Sequence, residues 1–364
     1  MKFKILTIKD KKDWLYLIEK LLPELQDLHF LPEYGEIYQK TYGFEPFLAF
    51  YGDENNYTIQ PFVKRRLNDL PFLKDQKIKK EFYDIANPYG YGGPLYQGKS
   101  LNRRKIYQEF DRNLRQYLKK EKIASEFCSL HPFLENHKLA KLEQMIKKEK
   151  EIVYFDLTLD EKDIITQINR GTKSNINKAK RLGIKIKKMD PSLKNFNVFK
   201  KLYYQTMKRQ KAAERWFFPK DYFWNCLESL GEKRASLFFA FKGKEVASAY
   251  LLIHNYQNCY YHFGASDERF FSMRPNNLLM YETALWAKRQ GFRRYHLGGG
   301  VTKSDEDSLY RFKSGFTKET ALLYVYKRLH HLPTYNYLCK LKKQYEKKTL
   351  GKEIKSDYFP LYRR

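Results

Sequence analysis

The stretch SLFFAFKGKEVASAYLLIHNYQNCYYHFGA, residues 236–265, decides the fold. SLFFAF (236–241), VASAYLLIH (246–254) and CYYHFGA (259–265) are apolar and aromatic runs separated by the polar turns KGKE and NYQN. Short runs of that kind joined by short turns read as three strands of an antiparallel meander. Beyond the irregular SMRPNN, the segment LLMYETALWAKRQG sets Leu278, Tyr281, Ala284, Leu285 and Lys288 at helical spacing. Gly291 suits the left-handed residue that ends a helix, and RRYHLGG then reads as a strand. The order is three antiparallel strands, a helix and a strand.

The first half repeats this order. FLAFY (47–51), a DENN turn and YTIQPFV (57–63) form a hairpin, and EFYDIA (81–86) is the next strand. After the loop NPYGYGGP, a helix around 102–120 aligns Ile106, Phe110, Leu114 and Leu118, and IASEFCSL (123–130) follows as a strand. The repeat is one of element order, without residue identity. It predicts an α/β protein with two tandem domains, 1–150 and 151–321, each a mixed, largely antiparallel sheet flanked by helices. Residues 322–364 form a basic, aromatic tail without a core of its own, expected to pack back on the first domain.

Between the halves, IVYFDLTL (152–159) reads as a strand and Asp160 as a helix cap. Residues 161–183 read as a helix broken at its glycine-containing middle. IKIKK alternates like a half-buried strand, and Leu193, Phe196, Phe199, Tyr203 and Met207 share one helix face.

Seventy Lys and Arg face 42 Asp and Glu among 364 residues, a formal net charge of +28, while aromatics reach 17%. The aromatic content excludes disorder. The charge suits polyanions such as nucleic acid, phosphorylated substrates or an anionic membrane face, with AT-rich codon composition as a competing explanation for part of the lysine excess. Cys128, Cys226, Cys259 and Cys339 are widely spaced, which gives no metal-ligand pattern. No apolar run reaches membrane-spanning length and the first residues lack a signal-peptide pattern. A cytoplasmic protein is expected, able to touch the inner membrane face.

Four stretches carry candidate chemistry. In HLGGGVTKSDEDSLYRFKSGF (296–316), the glycines satisfy neither the P-loop nor the GxGxxG spacing, so they read as a flexible strand exit. Ser304 or Asp305 is placed to cap the short helix that follows. Its Leu309 and Phe312 fall on one side, with Arg311 and Lys313 elsewhere. In RPNNLL (274–279), Arg274 and Asn277 stand at a helix N-terminus, where they bind an anion or where Asn276 or Asn277 simply caps. Arg170, Lys173, Lys178, Lys180 and Arg181 form either a phosphate-binding or a solvated helix face. Tyr89 and Tyr91 of NPYGYGGP stack on a ligand or pack inside. No HExxH, nucleophile elbow or paired-carboxylate site is present, which leaves metal and covalent catalysis without support.

The element order resembles the GNAT acyltransferase fold. NPYGYGGPLY, SEFCSLHPF, the TMKR helix, YYHFGAS, PNNLLMYETALWAKRQGF and HLGGG with SLYRFKSGF resemble the Fem family of peptidoglycan-bridge aminoacyltransferases and the wider FemAB-like enzymes. The resemblance extends over most of residues 30–320. It implies direct attack of an amine on an ester or thioester carbonyl in a ternary complex. By motif match, Lys313 with Phe312 stabilises the developing charge and Asp307 and Arg311 orient the loop, while Asp307, Arg311 and Gly299 are expected to contact substrate. The implied donor is aminoacyl-tRNA or acyl-CoA as co-substrate, with no tightly bound cofactor, no metal and no DNA partner. The implied acceptor is a nucleotide- or lipid-linked precursor of peptidoglycan or surface polysaccharide. A long helical-hairpin arm and the pyrophosphate loop of acetyl-CoA enzymes are missing. Two rival readings are acyl-CoA-dependent acylation of an amino sugar or metabolite, and non-catalytic RNA binding on a degenerate scaffold.

Overall fold

Thirteen strands organise the described part of the chain. The structure, a computed structural model, describes residues 1–74, 80–302, 304, 306–354 and 356–363. In chain order the strands are β1 (Lys2–Thr7), β2 (Glu45–Gly52), β3 (Tyr57–Arg66), β4 (Tyr83–Ala86), β5 (Leu95–Gln97), β6 (Ile123–Ser129) and β7 (Lys147–Asp156). They continue with β8 (Ile184–Met189), β9 (Ala235–Lys242), β10 (Glu245–Asn255), β11 (Asn258–Ser266), β12 (Arg294–Gly298) and β13 (Thr320–Leu329). The chain divides into two compact units: residues 1–25, 29–148 and 323–364 form one, and residues 26–28 and 149–322 the other.

In the second unit the meander forms as its sequence dictates. β10 pairs antiparallel with both β9 and β11, and eight consecutive residues of β10 are buried. A central strand covered on both faces has this continuous apolar character. The strand order is β7-β12-β11-β10-β9-β8, and only β11 and β12 run parallel. Helix Arg170–Arg181 and helix Pro275–Arg289 supply Ile176, Ala179, Leu278, Leu279 and Ala284 to one core, with Phe155, Phe238, Tyr250 and Leu297 from the sheet. Elsewhere in the unit, helices Leu193–Arg209 and Tyr222–Leu230 join Phe199, Tyr203 and Phe223 to Phe263 of β11 in edge-on ring contacts.

The first unit has the same plan in the order β1-β2-β3-β4-β6-β13, where only β4 and β6 run parallel. Helix Arg103–Lys120 buries Ile106, Tyr107, Phe110, Leu114 and Leu118 as its four-residue spacing requires. The sixth strand of each unit is exchanged. β7 follows β6 in sequence yet serves the second unit, and β13 returns to close the first.

Several local expectations change. The C-terminal segment forms β13 and helix Leu332–Leu350, elements the sequence reading left unassigned, and Tyr335, Leu338 and Tyr362 share a core with Leu67, Phe72 and Phe82. The helix over 161–183 breaks in its middle at Ile168 and Asn169, because the Asn169 side chain accepts the Thr172 amide at 2.7 Å and starts a new helix. Asp160 occupies the cap position without making a side-chain cap bond. Leu193 is exposed at the start of its helix.

Candidate active site

β11 and β12 pair over three positions, ending at Tyr260 and His296, and then part. β11 continues to Ser266 beside β10, whereas β12 ends at Gly298. Into this parting comes helix Ser308–Ser314, whose Lys313 is 4% exposed. Its Nζ donates to the Gly299 carbonyl at 2.8 Å and lies 5.4 Å from the centre of the Tyr261 ring.

The glycine triplet is a fitted socket, contrary to the expected flexible exit. Gly298 has φ +80°, and a Cβ there would stand 3.2 Å from Lys313 Nζ. At Gly299 a Cβ would fall 2.7 Å from the Glu151 carbonyl, and at Gly300 it would fall 2.6 Å from the Asp307 carboxylate. Asp307 is the cap of the Lys313 helix, a role expected of Ser304 or of Asp305, which lies outside the described residues. Its Oδ1 accepts the Leu309 and Tyr310 amides, both at 3.0 Å, and its Oδ2 accepts the Thr302 amide at 2.8 Å and hydroxyl at 3.1 Å. At the other end, Gly315 sits against Thr172 and Asn169, and its carbonyl accepts the Asn169 amide at 3.0 Å. The start of helix Arg170–Arg181 thereby fixes the end of the Lys313 helix.

Burial drives the Lys313 ammonium down to about 7, neighbouring Lys150 pushes it the same way, and Asp307 opposes both. An amine so poised exchanges its proton near neutral pH and, when charged, donates to oxyanions. Phe312 packs beside it against Phe316, with ring centres 5.3 Å apart.

The other expected residues separate. Arg311 turns outward to an exposed ion pair with Glu306. Arg274, at φ +59°, is the exposed residue before helix Pro275–Arg289, and Asn277 is a buried first-turn residue. Neither Asn276 nor Asn277 caps, because the helix begins at Pro275, whose fixed φ suits the first helical position. Arg170 is exposed and Lys178 half-buried on their helix. In the first unit, Tyr91 packs against His29 and His131 with ring centres 5.2 Å away in each case. Tyr89 is 40% exposed, its amide held by Tyr38 Oη at 2.8 Å and its carbonyl by the Tyr34 hydroxyl. Two site residues escaped the sequence reading: Tyr261, one aromatic among many in β11, and Lys150, inside the charged run KKEKE (147–151).

Residues 170–314 match the family model of the acetyltransferase (GNAT) domain. The crystal structure of FemX superposes with a TM-score of 0.68 at 15% identity, covering 93% of this chain and 99% of that one. A tandem GNAT protein from the clavulanic acid biosynthesis pathway gives 0.53 at 8% identity over 90% and 98% of the two chains. The chain has a tandem GNAT fold, and the residues that match the GNAT domain model lie within its second unit. The same fold relates the chain to L-PGS from Bacillus licheniformis, with a TM-score of 0.51, 14% identity and coverage of 83% and 93%. No curated protein matches it in sequence. No described helix is long and apolar enough to cross a membrane.

Proposed function

We propose that the protein transfers an acyl or aminoacyl group to an amine of a peptidoglycan or surface-polysaccharide precursor, by direct attack in a ternary complex. One observation carries this reading: a buried lysine, fixed by the Gly299 carbonyl, stands where the parallel strands of a GNAT acyltransferase domain part. The acceptor nitrogen bonds to the carbonyl carbon, the ester or thioester bond breaks, and the amine proton leaves with the alcohol or thiol. Negative charge builds on the carbonyl oxygen, and the Lys313 ammonium donates to it. Phe312 and the Asp307 cap hold that ammonium in place, while Arg170, Arg274, Asn277 and Lys178 contact phosphates of the donor or acceptor. Arg311 orients the loop from outside, and Tyr89 is the first-unit tyrosine available to a ligand.

The likeness to FemX and L-PGS supports an envelope acceptor, and the FemAB-like motifs support aminoacyl-tRNA as donor. The GNAT domain match supports the second reading, acyl-CoA as donor. Single-turnover assays with labelled aminoacyl-tRNA and acyl-CoA pools, offered with precursor amines, separate the two. Lys313→Met is expected to lower transfer roughly 100- to 1,000-fold, the range for removing one oxyanion donor. Unchanged transfer in that variant refutes the catalytic assignment. The ammonium form is the active one here, so the rate falls as pH rises through about 7.

A further inference from the structure

A second lysine grips the same turn. Lys150 on β7 donates from Nζ to the Gly300 carbonyl at 3.0 Å, one residue beyond the Gly299 carbonyl that takes Lys313 at 2.8 Å. Its stem lies along Gly299, where a Cβ would meet Lys150 Cδ at 3.2 Å and Cε at 3.3 Å. A side chain at Gly299 would press on the Lys150 stem and clash with the Glu151 carbonyl 2.7 Å away. Lys313 is buried and Lys150 half-buried, and like charges held on adjacent carbonyls disfavour each other's charged form.

We propose that Lys150 is a positioning residue of the active site, clamping the glycine turn that holds Lys313 and standing beside it as a fixed like charge. The inference rests on the role given to Lys313 above. Every element around Lys313 brings a titratable group. β7 supplies Lys150 and Glu151, β12 supplies His296 and β11 supplies Tyr261, while Asp307 and Tyr310 come from the helix and its cap. The Tyr310 hydroxyl donates to Glu151 at 3.1 Å, and four donors already engage Asp307. Both carboxylates are therefore partly spent on other partners. Among the described residues, Lys150 acts with burial, the larger cause, against the attraction of Asp307, in keeping with the lowered proton affinity of Lys313.

Titration of the Lys313 ammonium tests this directly, by NMR of protein carrying 13Cε-lysine. The signal is assigned by its loss in Lys313→Met. Lys150→Met is expected to move the Lys313 midpoint up by about one pH unit, and Lys150→Gln to do the same while keeping a donor for Gly300. Lys150→Arg, which retains the charge, should leave the midpoint in place. The alkaline limb of the pH–rate profile should follow the midpoint in each variant, a shift that a merely structural role would not produce. Thermal melts show which neutral variant is folded, and the Gln variant serves if Met is not tolerated. A midpoint equal to wild type in the folded neutral variant overturns the inference. Full transfer by Lys313→Met would instead overturn the catalytic assignment and leave this titration intact.

Discussion

Each unit has one place where two parallel strands part, and the two places are filled differently. In the first unit, β4 stops at Ala86 and the following loop stitches the gap with backbone and amide bonds. The Gly92 amide donates to the Ser129 carbonyl at 2.9 Å, Asn136 Nδ2 to the Gly92 carbonyl at 2.7 Å, and the Ser129 amide to Asn87 Oδ1 at 2.8 Å. In the second unit, the gap receives Lys313, whose amine is almost wholly buried. One arrangement satisfies neutral partners and stabilises the sheet. The other leaves a buried amine with a displaced proton affinity, in keeping with the site proposed above. Common topology thus says little about which copy performs chemistry.

The largest test of this contrast concerns the first unit, whose closure depends on a strand from the far end of the sequence. Glu126 of β6 is buried, and its carboxylate accepts from Tyr326 Oη at 2.7 Å, His330 Nε2 at 2.9 Å and Gln60 Nε2 at 2.9 Å. Two of these partners lie in or just after β13. A chain ending at residue 150 would leave that carboxylate half-satisfied and one sheet edge open. It is expected to show no cooperative melting transition by circular dichroism. A sharp transition in that fragment would mean that the first unit is complete without β13.

A smaller effect separates the two gaps by their glycines. Gly300→Ala places a methyl 2.6 Å from the Asp307 carboxylate, and Gly92→Ala places one 2.7 Å from Asn87 Cβ. Each is expected to cost about 1–3 kcal/mol in denaturant melts, the usual penalty of overpacking. Only Gly300→Ala should also lower the transfer rate of the folded protein, because the displaced cap carries Lys313. Equal rate losses in both variants would erase the functional distinction between the gaps.

The meander and its repeat were legible because turns, apolar runs and helical spacing are local signals. The exchange of sixth strands was not, since nothing in IVYFDLTL says which sheet it joins; pairing across long separations leaves no periodic mark. Lys313 emerged from a motif, yet its burial did not, because a lysine on a seven-residue helix ordinarily faces water. The glycine triplet was seen and misread. Its necessity comes from Lys150 and Glu151, about 150 positions earlier, and from Asp307, which only the folded chain brings against it. Pro275 was the overlooked local sign, since proline at a first helical position was outweighed by the two asparagines after it.

The subtlest effect appears in the stability of Lys313→Met. In the folded protein Lys313 holds its proton only to about pH 7, whereas an unfolded lysine holds it to about 10.4. Between those values the unfolded chain binds the extra proton, so folding stability gains from this residue's neutralisation as pH rises. Below pH 7 the folded protein bears the full cost of a buried ammonium, which methionine removes. The variant should therefore melt several degrees above wild type at pH 6, at roughly 2–4 °C per kcal/mol for a unit of this size. The difference should shrink steadily as pH rises above 7, reaching its minimum near the ordinary lysine range. A gap that stays constant from pH 6 to 10 would show that Lys313 has no displaced proton affinity.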